Sequence, residues 1–74
     1  MKKHYPIVIE QDKDGVFIIE CPAFEGCRSY GKTIDEALSN IREAIQVCID
    51  EIDEDDMGML STFIGVRDIE VALA

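Results

Sequence analysis

The sequence predicts an α+β domain in the order β-β-β-α-β, and three observations lead there. Apolar residues recur at spacings of three and four across residues 34–53, which is the signature of an amphipathic helix. Two alternating stretches, residues 5–10 and 16–21, flank a polar five-residue connection that ends in Gly15, as in a β-hairpin. Ile69, Val71 and Leu73 alternate with Asp68, Glu70 and Ala72, which gives a closing strand.

In the first stretch Tyr5, Ile7 and Ile9 alternate with Pro6, Val8 and Glu10. Proline cannot donate to a ladder, so this strand belongs at a sheet edge, or its pairing begins after Pro6. The return strand carries Phe17, Ile19 and Cys21 on one face and Val16, Ile18 and Glu20 on the other. The Tyr5/Ile7/Ile9 and Phe17/Ile19 sides are the faces the helix is expected to cover. Val8, Val16 and Ile18 are then left on the opposite face, and a second apolar face on a small sheet points to self-association. Pro22 and Gly26 bracket a short crossing, and residues 27–30 form a brief third strand before Gly31 turns the chain.

The helix opens on a capping box. The Thr33 hydroxyl takes a free amide at the helix start, while Glu36, three residues on, reaches back to the threonine amide. Asp35 and Glu36 also place negative charge at the positive end of the helix dipole. Ile34, Leu38, Ile41, Ile45, Cys48 and Ile52 form the apolar stripe, and Ala37 and Ala44 widen it. Beyond the helix, Asp53, Glu54, Asp55 and Asp56 set four carboxylates against its negative end, which frays it. Residues 57–67 receive no firm assignment.

Seventy-four residues make one domain, spanning 1–74. A domain this small buries only roughly 60% of its unfolded surface, so a partner or a self-association surface is expected. Seven basic against sixteen acidic residues give a net charge of −9. That charge is uneven: residues 1–42 hold seven acids and six bases, whereas residues 43–74 hold nine acids and one base, Arg67. The acidic half repels a phosphate backbone and attracts a basic protein surface. No apolar run is long enough for a signal peptide or a membrane span, so a cytoplasmic location is expected. Three cysteines, an odd number at spacings of six and twenty-one, do not make a disulfide framework.

The stretch Cys21-Pro22-Ala23-Phe24-Glu25-Gly26-Cys27-Arg28-Ser29-Tyr30-Gly31-Lys32-Thr33, continued by Asp35-Glu36-Ala37-Leu38 and Asn40-Ile41, resembles the HicB antitoxin family. Together with the preceding Asp-x-Asp-Gly hairpin, the resemblance covers about residues 5–50. It implies a β-β-β-α-β fold similar to a degraded RNase H fold, in agreement with the order read above. It also implies a task, which is to bind a small basic RNA-cleaving toxin, HicA, and block its active site. Many members add a C-terminal DNA-binding segment. The chain as given ends at Ala74 without one, so direct DNA binding is not expected of it.

Other chemistry fits these residues less well. The three cysteines and His4 lack the close ligand spacing of a structural zinc site. Cys27 as a nucleophile needs a nearby base, and His4 is the only histidine. Glu10 and Glu20, near the ends of neighbouring strands, are the carboxylates a residual metal-dependent nuclease would use. The acidic run lacks the Asp-x-Asp-x-Asp-Gly spacing of a calcium loop. No cofactor, metal or catalytic group is therefore assigned. The candidate partner-binding residues are Asp50, Glu51, Asp53, Glu54, Asp55 and Asp56, with Asp12 and Asp14 of the hairpin loop. The expected function is that of a non-catalytic, homo-oligomeric (dimeric or tetrameric) antitoxin that masks a HicA-type toxin. The alternative is an oligomeric scaffold or ligand-binding module of the same fold with no toxin.

Overall fold

The computed structural model describes residues 3–52 and 62–73. Among them are three strands, β1 (Val8–Gln11), β2 (Phe17–Glu20) and β3 (Arg28–Gly31), and one helix, α1 (Ile34–Glu51). The strands form an antiparallel sheet in the order β1-β2-β3, with Ile9 opposite Ile19 and Ile19 opposite Ser29. This is the predicted α+β core. β1 begins later than the alternation suggested, because Pro6 has no amide to give the ladder.

Two side chains hold the hairpin loop: Gln11 Nε2 donates to the Gly15 carbonyl at 3.3 Å, and Asp12 makes the shorter bonds. Asp12 Oδ1 accepts from the amides of Asp14 and Val16, each at 2.9 Å, and the Asp12 amide donates to the Val16 carbonyl at 2.9 Å. Gly15 completes the turn at φ 87°, a conformation that side chains resist.

Cross-strand partners share a face, so the buried Ile19 identifies the side that α1 covers. Phe17, Ile19, Cys21 and Gly31 lie on it, as the alternation predicted for the first two. The rows Val8–Glu20–Arg28 and Glu10–Ile18–Tyr30 face away. The core is Ile19, Cys21, Phe24, Cys27, Ala37 and Ile41, with Tyr5, Leu38, Ile45 and Cys48 packed around it. Tyr5 and Phe24 meet as tilted rings with centroids 5.2 Å apart.

α1 starts where the capping residue predicts. Thr33 is extended (φ −128°, ψ 161°), and its Oγ1 accepts from the Glu36 amide at 3.1 Å. Among the hydrogen bonds of the described residues, only this half of the box is made. The helix ends at Glu51 because Ile52 is extended (φ −86°, ψ 137°), two residues short of the predicted end. Ile34, placed on the apolar stripe by its spacing, is 45% exposed, since the first turn overhangs the edge of the core.

The predicted closing strand does not form within the chain. Residues 62–73 take up neither helix nor strand and are exposed throughout. A strand needs a ladder partner, and this stretch has none among the described residues. The RNase H-like relation, which the family resemblance implied, lacks its last strand among the described residues.

Candidate partner-binding site

The outward face of α1 carries a row of exposed carboxylates, the candidate site. Glu36, Glu43 and Asp50 are seven residues apart, which stacks them along one line of the helix about every 10.5 Å. All three are exposed, as is Glu51. Among the described residues no ion pair engages any of them, the salt bridge present being Arg28 to Glu20 at 3.6 Å on the far face of the sheet. Asp50 accepts from Gln46 Nε2 at 3.0 Å, one turn back, which fixes the direction of its carboxylate. Such a row can receive the lysine and arginine side chains of a partner as charge-assisted hydrogen bonds.

The structure separates the residues that the sequence grouped. Asp12 and Asp14 are exposed at the hairpin tip, and the row Gln11–Phe17–Gly31 puts that tip at the end of the sheet where α1 begins. Asp50 and Glu51 lie at the other end of an 18-residue helix, about 27 Å away. Asp12 is further occupied with closing its own loop. Asp53, Glu54, Asp55 and Asp56 lie outside the described residues. Sequence grouping left out Glu36 and Glu43, which the helix sets in line with Asp50. Their seven-residue spacing from Asp50 was the available signal.

The candidates for other chemistry fall as follows. Glu10 and Glu20 share the far face but sit diagonally, Glu10 opposite Ile18 and Glu20 opposite Val8, and Glu20 is engaged by Arg28. Contact with the Tyr30 side chain, and then Glu20, holds the Arg28 guanidinium still more firmly charged. The fold gathers the three thiols, which the sequence left apart. Cys21 and Cys27 are buried, and the Cys21 amide donates to the Cys27 carbonyl at 2.9 Å. Burial, and then the neighbouring Cys48 thiol, pushes Cys27 up to about 12, so it stays protonated at neutral pH. Cys21 is raised too, chiefly by burial. Among the described residues no group of three or more His, Cys, Asp or Glu side chains is arranged to hold a metal ion, and no helix is long and apolar enough to cross a membrane.

One further feature is a groove. α1 packs on β3 and β2 and makes no approach to β1. Between the helix and the chain leading into β1 a cavity of about 360 Å³ opens, walled by Tyr5, Ile7, Leu38, Ile41, Ile45 and Ile49. Lys3, His4 and Arg42 stand at its rim.

By fold and surface this is a small acidic α+β protein with a three-stranded sheet under one helix. The model of the HicB-like antitoxins of bacterial toxin–antitoxin systems matches residues 5–67. A UPF0150 protein of Synechocystis sp. is 41% identical over 70 residues, 95% of this chain and 97% of the relative. A UPF0150 protein of Helicobacter pylori is 41% identical over 68 residues, 90% and 93% of the two chains. One of Archaeoglobus fulgidus is 34% identical over 67 residues, with the same shares. No solved structure gives a significant match. The chain belongs to the HicB-like antitoxin family.

Proposed function

We propose that this protein is an antitoxin that binds a small basic ribonuclease of the HicA type and masks it with acidic side chains. Family membership supports a toxin as partner. The observation that carries the acidic mode of binding is the exposed row of Glu36, Glu43 and Asp50 with Glu51 beside its end. Carboxylates in such a row offer a basic toxin the kind of negative charge it would otherwise meet on RNA phosphates. The chain acts by occupying a surface, without catalysis or a cofactor. Asp53, Glu54, Asp55 and Asp56 continue the same charge along the sequence.

The test is a pull-down of the small basic protein encoded by the neighbouring reading frame, repeated at rising salt. Binding that weakens steadily as the charges are screened is the expected result. Salt-independent binding, or no binding, overturns the electrostatic reading.

A second reading, an oligomeric scaffold without a toxin, draws on a different observation, the exposed apolar side chains of residues 62–73. A neighbouring frame that encodes no basic protein favours it. Self-association belongs to both readings.

A further inference from the structure

Two unsatisfied surfaces remain on this molecule, and they complement each other. The first is the segment 62–73. Ile64, Val66, Ile69, Val71 and Leu73 are 91, 76, 83, 71 and 96% exposed, in a chain whose helix and sheet are otherwise folded. Exposed apolar side chains in such a contiguous series mark a contact surface. The radius of gyration is 14.5 Å, against about 11 Å for a compact chain of this length. The segment has thus not folded back over its own body.

The second is the β1 side of the domain. β1 is an edge strand, and among the described residues nothing pairs with its outer side. The other edge differs: α1 packs most closely on β3, and Asn40 Nδ2 donates to the Tyr30 carbonyl at 2.7 Å. Over β1 the helix leaves the groove, with Leu38, Ile45 and Ile49 on one wall and Tyr5 and Ile7 on the other. Ile9, on the same face, is 46% exposed for want of a cover. The sheet is one strand short on that side.

We infer that residues 63–73 of one copy add as a fourth strand to the β1 edge of a second copy, with Ile69, Val71 and Leu73 set into the groove between β1 and α1. An added strand satisfies the open backbone groups of the edge and fills the groove with alternate side chains. In that phase Ile64 and Val66 lie on the face that carries the half-buried Val8 and Ile18. The exchange is reciprocal, so a two-fold pair closes with both tails placed and both edges covered. Ten large apolar side chains leave water in such a pair, an area on the order of 1,000–2,000 Å², the size of a specific interface.

The occupant is a second copy, because both unsatisfied surfaces belong to one chain and the area they bury together is what a specific dimer needs. The inference deepens the self-association proposed above and does not depend on a toxin.

The experiment uses the full chain. The mass in solution is expected to be twice the 8.3 kDa of one chain. Val71→Asp, at an exposed position, is expected to weaken dimerisation at least tenfold with unchanged helical circular dichroism. A photo-crosslinking residue at position 73, in a mixture of 15N-labelled and unlabelled chains, is expected to join unlike chains at residues 5–9 or 38–49. A monomer, a dimer indifferent to Val71→Asp, cross-links confined to one chain, or cross-links elsewhere would each overturn the inference. The toxin pull-down reads the acidic row of α1, none of whose carboxylates lines the groove, so either idea can fail while the other stands.

Discussion

Gly31 and Ala37 meet backbone to backbone, and this contact sets how deeply α1 seats on the sheet. A Cβ on Gly31 would stand 2.8 Å from the Ala37 Cα and 3.0 Å from its Cβ, with no flexible side chain there to yield. Gly31→Ala is expected to lift the first turn of the helix off β3 and cost about 2 kcal/mol or more. Gly65→Ala meets nothing within 4 Å and is expected to leave stability unchanged. Urea midpoints of the two variants check the pair.

Asn40 secures the same helix one turn further on. Its Nδ2 donates to the Tyr30 carbonyl at 2.7 Å from a half-buried position. Asn40→Ala removes that donor and is expected to cost about 1 kcal/mol. Asn40→Asp is expected to cost more, because a carboxylate would then face a carbonyl oxygen. Thermal unfolding of the two variants gives the order.

Much of the fold was legible because short-range rules suffice for it. Thr33 and Gly15 start and turn their elements by local chemistry, and the spacing of Leu38, Ile41 and Ile45 identifies the buried side of the helix. Ile69, Val71 and Leu73 show the limit of such rules. Alternation records that a segment suits a ladder, and it is silent on which chain supplies the partner. The candidate acidic row was half legible for a similar reason. Sequence proximity grouped Asp12 with Asp14 and Asp50 with Glu51, whereas joining Glu36 to Glu43 and Asp50 needs the helix to be drawn as a solid object.

Cys27 makes the alkaline limb of stability informative. Burial, and then Cys48, raises its thiol from the ordinary 9.0 to about 12. The folded state therefore keeps a proton that the unfolded chain releases above about pH 9. Its contribution is complete below that point and is lost as the pH climbs toward 12. Denaturant midpoints are expected to fall between pH 8.5 and 10.5, and Cys27→Ala is expected to flatten that fall. At pH 7.5, iodoacetamide is expected to label Cys27 only as fast as the protein unfolds.

Asp12 and Asp14 lie about a helix length from Asp50 and Glu51, so the two groups can be separated by charge reversal. If α1 carries the contact, Glu43→Lys and Asp50→Lys each weaken toxin binding, by about tenfold at low salt and by less at high salt. Asp14→Lys, at the hairpin tip, leaves binding within about twofold by the same screening argument. Asp12 needs its own comparison, because its carboxylate holds two loop amides at 2.9 Å. Asp12→Ala is expected to cost about 1 kcal/mol of stability whatever it does to binding, whereas Asp14→Ala costs nothing measurable. Isothermal titration with the toxin, beside urea unfolding of each variant, resolves these outcomes. A loss of affinity confined to Asp14→Lys would move the contact from the helix face to the hairpin end of the sheet.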